Sequence, residues 1–414
     1  MGSDKRLDKE FYTRPVSMNM VEENGKIWMA LLNTNGICEV DRAAQQGRIC
    51  GIFEEEPLNR KYLYGCVEKV GKYLFFAPLL AEKIAVFDLE HKKIFYISLK
   101  EMDGTYKENT REPKFWNVFR HQSSVYLLGY SYPAIVKIDI TSMEVTYIVN
   151  WLKKVREISK YGNASVYFGD GQVLYNHKVL LPLVCINGVL ELDLKTLSTK
   201  LIKVNVSMEG IGGIASLDGE KVWISGRGDG ADRVACWERT SGIVREFSVP
   251  NISGNMPDPF FAPVCTEKKI FLLPISAPYI YTMDIPECSI KECSIHDIPE
   301  AAEELLWKDG RTIAVKLQDG ILRYLTCADL KWHELEIDTG STMSYFVHWK
   351  EEKEEEKRYF RAVYSDLKAK KVLLSEKKMP LKYLLSSLTQ EDVEDKWGSG
   401  AGLMVGRKIY EKLC

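Results

Sequence analysis

Apolar residues along this chain gather in short runs, some alternating with polar residues and some continuous. Clusters rich in Gly, Asp and Asn separate them. Such runs predict strands and the separators predict turns. Lys83–Leu99 (KIAVFDLEHKKIFYISL) shows the recurring unit. It reads as a strand rich in β-branched and aromatic residues, a tight turn opened by Asp88 and Leu89, and a second strand. Val136–Val149, Val189–Val204 and Tyr279–Ile295 have the same shape. In each unit an acidic residue closes one strand before the turn. The series is Asp41, Asp88, Asp139, Asp193, Glu238, Asp284, Asp329 and Asp366, at spacings of 47, 51, 54, 45, 46, 45 and 37 residues. Asp in this place bonds its own backbone two residues on, which favours the turn. Upstream of each anchor lies another strand, and upstream again a weaker one. The weaker strands often end in turns such as Glu23-Asn24-Gly25 or Leu217-Asp218-Gly219, a strong hairpin signal.

A repeat of about 45 residues carrying four short strands, A to D, predicts an all-β fold: a β-propeller of four-stranded antiparallel blades. The acidic anchors favour eight blades, with seven blades and an appended segment as the alternative. The last blade would draw on Ser344–Trp349, Arg358–Ser365, Lys371–Glu376 and an N-terminal strand at Glu10–Arg14. Closing the ring in this way hides the sheet edges. Two links depart from the pattern. Glu101–Lys114 is long and polar, and Trp151–Lys160 places Leu152, Val155 and Ile158 at helical spacing, which predicts a short helix. After Pro380 the apolar period turns helical, with a helix start signal at Thr389. The domain reading is therefore a propeller over 1–379 and a short α-helical C-terminal tail over 380–414 packed on it.

Charge and cysteine usage narrow the function classes. Lys and Arg number 56 against 58 Asp and Glu, so no basic excess points to nucleic acid. No apolar stretch approaches the roughly 20 residues that cross a bilayer. The first residues, MGSDKRLDKEF, lack a secretory apolar region. The ten cysteines include no CxxC pair, which fits reduced thiols and a cytoplasmic setting. Histidines show neither HxH nor HExxH spacing, and GxSxG is absent. No metal, no cofactor and no local nucleophile are therefore expected.

In this architecture the B–C loops and the D–A connections share one face of a central channel. Candidate ligand-binding residues on the B–C side are Tyr130, Tyr132, Asn187, Arg227, Asp229 and Tyr279, with Asn35 in the first blade. On the D–A side they are Trp116, Asn117, Asn163 and Glu209. Aromatic faces to stack on and amides to bond hydroxyls or backbone suit a sugar or a peptide. Ser225–Gly230 is the richest loop. Its three glycines let a ligand approach the backbone closely, and its Arg and Asp suit a carboxylate or hydroxyls. The alternative is an exposed loop in which Arg227 and Asp229 pair with each other. Ser216–Trp223 resembles the Asp-box of sialidases, but it falls on an A–B turn, so Asp218 reads as a turn residue.

Gly212–Ser225 (GGIASLDGEKVWIS) resembles the strand, Asp-Gly turn and Trp-bearing strand of streptogramin lyases. Over roughly residues 15–376 the blade texture is similar to that of bacterial propellers of the Kelch-like and streptogramin-lyase-like type. The resemblance implies a fold and carries over no catalytic residues. The function expected is a non-catalytic binding propeller that takes a small molecule, glycan or peptide on the B–C/D–A face. The C-terminal helices are the place for a protein partner. The alternative is a propeller enzyme, a lyase or glycan-active hydrolase, with acid/base groups drawn from Glu209, Asp229 and Arg227 at the channel mouth.

Overall fold

In a computed structural model of the chain the repeats form separate antiparallel sheets. The structure describes residues 19–32, 35–41, 43–44, 46–56, 60–102, 113–159, 166–252, 254, 258–275, 277, 279–292, 312–318, 321–326 and 332–336. The chain divides into compact units Met1–Thr339 and Gly340–Cys414, and every described residue belongs to the first. Six described sheets have four strands in the order A-B-C-D. The first runs through Met20–Glu23, Lys26–Ala30, Ile37–Asp41 and Gln46–Gly51. The second runs through Tyr64–Val70, Tyr73–Pro78, Lys83–Asp88 and Lys93–Ser98. The third comprises Phe115–His121, Ser124–Gly129, Ile135–Asp139 and Val145–Ile148. The fourth comprises Val173–Tyr175, Lys178–Leu183, Gly188–Asp193 and Thr199–Lys203. Gly210–Ala215, Lys221–Arg227, Arg233–Glu238 and Val244–Ser248 make the fifth. Val264–Cys265, Lys269–Leu272, Tyr281–Asp284 and Ser289–Glu292 make the sixth. A further sheet has three described strands, Thr312–Gln318, Ile321–Thr326 and Trp332–Glu336. The strands expected at Glu10–Arg14 and beyond residue 340, the anchors Asp329 and Asp366, and the 380–414 tail lie outside the described residues.

The acidic anchors from Asp41 to Asp284 all sit at the last position of a C strand. At Asp193, Oδ1 accepts the N–H groups of Lys195 and Thr196, both at 2.9 Å. Asp41, Asp88 and Asp139 make the same pair of bonds. The turns after Asp88, Asp139, Asp193, Glu238 and Asp284 close through a left-handed residue four positions after the anchor, at Lys92, Met143, Leu197, Gly242 and Cys288. The short polar side chain therefore supplies acceptors where the turning backbone has spare donors.

Apolar clusters fill the spaces between successive blades rather than one central core. Between the second and third blades, Phe75, Val86, Phe115, Leu127 and Tyr132 pack together. Between the third and fourth, Phe119 stacks on Tyr126 with ring centroids 4.9 Å apart, and both join Trp151, Phe168 and Leu190. This arrangement explains the two apolar patterns. B strands such as Ser124–Gly129 are buried along their whole length, because each face meets a neighbouring blade. D strands such as Lys93–Ser98 lie at the rim and are half-buried. The helix expected after Trp151 forms at Leu152–Ile158, with Trp151 as its N-cap residue. Val155 is buried in the core, but Ile158 is exposed despite its helical spacing.

Candidate functional site

The A strands do not pair uniformly with their B strands near the B–C face. In the third blade Leu128 pairs with Asn117 and Gly129 with Phe115, which leaves Trp116 as a bulged residue. The second and fifth blades place Gly65 and Gly212 in the corresponding bulges. A bulge re-aims a side chain out of the sheet's alternation. The third blade thus carries a half-buried indole where two other blades carry no side chain. The Trp116 ring lies 5.7 Å from the Tyr130 ring, at an interplanar angle of 40°. Tyr130 is pinned by its backbone. Its N–H donates to Lys114 O, and its carbonyl accepts the Tyr167 N–H of the next blade, each at 2.8 Å.

Arg227 reaches this aromatic pair from the end of the fifth blade's B strand. Its Nη2 donates to the Tyr130 hydroxyl at 3.2 Å, and its guanidinium carbon lies 5.9 Å from the Tyr130 ring centre. On its other side Nε lies 3.3 Å from Asp258 Oδ1, in the connection leading into the sixth blade. One side chain therefore touches elements of the third, fifth and sixth blades. Burial opposes the Arg227 charge, but Asp258 and the Tyr130 oxygen outweigh it and hold the guanidinium pKa above its usual value. Burial raises the Asp258 carboxyl above the usual carboxylate range, although Arg227 pulls it down. Among the described residues, Arg227 Nη1 is shielded from solvent and meets no hydrogen-bond acceptor. A buried donor left unmet costs roughly 1–3 kcal/mol, and more when it is charged. Cys185 also feels Arg227, but burial pushes its thiol up to about 11, so it is no thiolate nucleophile at neutral pH.

The other candidates go to different places. Asn117 is buried, and its Nδ2 donates at 3.2 Å to both Gly171 O and Gln172 Oε1 of the fourth blade. Tyr132 is buried in the core between the second and third blades. Its ring packs on Phe115 and its hydroxyl donates to Lys100 O at 2.6 Å. Tyr132 therefore belongs to the frame and does not line the mouth. Asn35 is likewise enclosed: its Nδ2 donates to Phe53 O and Glu56 O, and its Oδ1 accepts the Phe53 N–H. Asn187 donates to Val206 O at 3.1 Å, while its buried Oδ1 meets no donor among the described residues. Tyr279 is exposed beside Tyr281. Asn163 lies outside the described residues.

Arg227 pairs with Asp258 and not with Asp229. Asp229 is exposed, and its N–H donates to Glu209 Oε2 at 3.3 Å. A Cβ on Gly228 would lie 2.4 Å from that same Glu209 oxygen, and one on Gly230 would lie 2.6 Å from Ser207 O. Both glycines hold left-handed backbone, and Gly230 also lies too close to the Ser207 carbonyl to carry a side chain.

Asp170 was not singled out by any local motif, yet it ties three blades together. Its Oδ2 accepts the Ala262 N–H and its Oδ1 accepts the Gly171 N–H, both at 2.8 Å. Its own N–H donates to Gly212 O, and its carbonyl accepts the Ile214 N–H. A Cβ on Gly213 would lie 2.6 Å from Ala262 Cα, so glycine is required for this approach. Asp218 accepts the N–H groups of Glu220 and Lys221 at 2.8 Å, as a turn residue should. Asp88, Glu90 and His91 bring possible metal-ligand atoms together. Lys72 Nζ already sits 3.2 Å from Asp88 Oδ2 and 2.9 Å from Glu90 Oε2, and Asp88 holds its turn. Among the described residues no helix is long and apolar enough to cross a membrane.

No family model matches the chain, and no curated protein matches it. Solved structures do. A streptogramin B lyase structure superposes with a TM-score of 0.52 at 14% identity, covering 77% of this chain and 92% of the other. A chain of a mitotic checkpoint complex superposes with a TM-score of 0.53 at 11% identity, covering 79% of this chain and 87% of the other. The chain is a β-propeller. At these identities the likeness extends to the fold alone, and propellers of this architecture include an enzyme and a component of a protein assembly.

Proposed function

We propose that this propeller is a non-catalytic binding protein that takes a polar ligand, of the glycan or peptide class, on its B–C/D–A face around Arg227. The observation that carries this reading is the unmet, solvent-shielded Nη1 of Arg227, held beside Trp116 and Tyr130. Burying a charged donor without an acceptor destabilises a protein, so such a group points to a partner that arrives later. An acceptor brought to the mouth satisfies it through a change in the Arg227 side-chain torsions. Half-buried aromatic faces next to it supply the apolar contact that ligand sites combine with a few convergent polar groups. The test is a glycan and peptide array probed with the wild-type chain, Arg227→Ala and Leu217→Ser. Leu217 is exposed on the A–B turn of the fifth blade, on the opposite face. Ligands retained by wild type and Leu217→Ser but lost by Arg227→Ala support the reading. Equal retention by all three chains overturns it, and conversion of a retained glycan to products assigns the face to an enzyme instead.

A further inference from the structure

Building on that reading, we infer that the ligand at Arg227 is an uncharged sugar, bound through neighbouring hydroxyls. Three features of the site separate this class from the others. The first is charge. Arg227 already faces the Asp258 carboxylate at 3.3 Å, so the pair is compensated before any ligand arrives. A carboxylate or phosphate seated on the same guanidinium would lie close to the half-exposed Asp258 carboxylate, and the two negative charges would repel each other.

The second is the mixture of donor and acceptor. Arg227 offers N–H donors only, while a carboxylate such as Asp258 is acceptor-only, with about four lone-pair sites on its two oxygens. A sugar hydroxyl both donates and accepts, so two adjacent hydroxyls can accept from Nη1 and donate to the Asp258 carboxylate at once. A peptide group divides these roles between a carbonyl and an N–H that point in opposite directions, and one peptide unit cannot serve both ends of the ion pair. The third is the aromatic wall. Trp116 is displaced from its strand by a bulge and set at 40° to Tyr130, whose ring also lies under the guanidinium. Flat, half-buried rings at the edge of an ion pair suit the C–H face of a pyranose, which is apolar on its face and polar around its rim.

Titration calorimetry on the full chain tests this with four probes: cellotriose, chitotriose, trigalacturonate and trialanine. At least one neutral trisaccharide is expected to bind, with trigalacturonate at least tenfold weaker and trialanine weaker still. Arg227→Lys keeps the charge but removes the planar fork, and it should weaken the neutral sugar at least tenfold. Trp116→Leu should weaken it several-fold, and it keeps the proposal testable should the Arg227 variants fold poorly. Asp258→Asn removes the negative charge and should narrow the gap between neutral and acidic sugars. Tighter binding of trigalacturonate or trialanine, with the same dependence on Arg227, overturns the sugar assignment and leaves the binding face standing. Binding of a neutral sugar that is unaffected by Arg227→Lys and by Trp116→Leu overturns both.

Discussion

Two polar networks cross the blades of this molecule, and they end differently. At Asp170 both carboxylate oxygens receive a backbone N–H, and the residue's own N–H and carbonyl bond to the neighbouring blade. At Arg227 one nitrogen faces Asp258, another donates to Tyr130, and a third is left unmet. Both networks join residues far apart in the chain, and both are half-buried. The difference lies in closure. A polar group whose partners are all supplied by the chain holds the blades in place. A polar group with a partner missing has a reason to meet something else.

Asp170→Ala tests the closed network most severely. It leaves the Gly171 and Ala262 N–H groups without their acceptors and loosens the fourth, fifth and sixth blades together. A loss of about 2–4 kcal/mol in stability is expected, read as a lower midpoint in urea unfolding. Arg227→Gln should cost about 1 kcal/mol or less, because its ion pair is partly exposed and one of its donors is already unmet. The roles separate if Asp170→Ala unfolds early while Arg227→Gln stays folded and loses ligand. If the two variants lose equal stability, Arg227 belongs to the frame and the contrast fails.

Asp258 sharpens the same contrast through pH. Burial holds its folded-state carboxyl above the ordinary range, so the folded chain keeps this proton more tightly than the unfolded chain does. The stability linked to that proton is fully present below the unfolded value, near pH 3.9, and is lost as pH rises through the folded value. Asp258→Asn has no such loss. Its melting temperature relative to wild type should therefore rise between pH 4 and pH 7, by an amount on the order of a degree or two. A flat difference over that window would show that Arg227 fully compensates the carboxylate.

Tyr130 and Tyr132 show how far the sequence can be read. Both were expected on the B–C face, and both lie in the same loop. Tyr130 turns toward Arg227, whereas Tyr132 turns into Phe115 and is sealed. Loop composition carries no signal for a change of direction over two residues. The blade frame was far more legible, since an acidic residue ending a strand acts within its own turn, and Asp41 through Asp284 mark C-strand ends as expected. Asp170 and Asp258 were missed because their importance depends on distant partners. Asp170 meets Ala262 across 92 positions, and neither aspartate sits in a patterned strand. The Trp116 bulge left a faint trace, since Gly65 and Gly212 occupy the matching place in other blades. A bulky aromatic where sister repeats carry glycine is a signal that only alignment of the repeats by register reveals.

The smallest effect is expected at the turns, and it has the opposite pH sign from Asp258. Backbone N–H groups of Ser142 and Thr141 hold the Asp139 carboxyl below its ordinary pKa, and those of Thr196 and Lys195 do the same at Asp193. With the folded value depressed, the stabilisation is present above the unfolded value near pH 3.9 and is lost as pH falls through the folded one. An Asn in the same place keeps a side-chain oxygen for both N–H groups and does not titrate. Asp139→Asn with Asp193→Asn should therefore melt close to wild type at pH 7 and lose less stability than wild type on acidification below about pH 4. The turns are solvated and each acts locally, so the paired variant should show the sum of two small changes. Acid melting curves that coincide with wild type would mean that water replaces the turn bonds as soon as the carboxylates protonate, which would leave the half-buried Asp170 network, rather than the visible repeat anchors, as the main polar support of the frame.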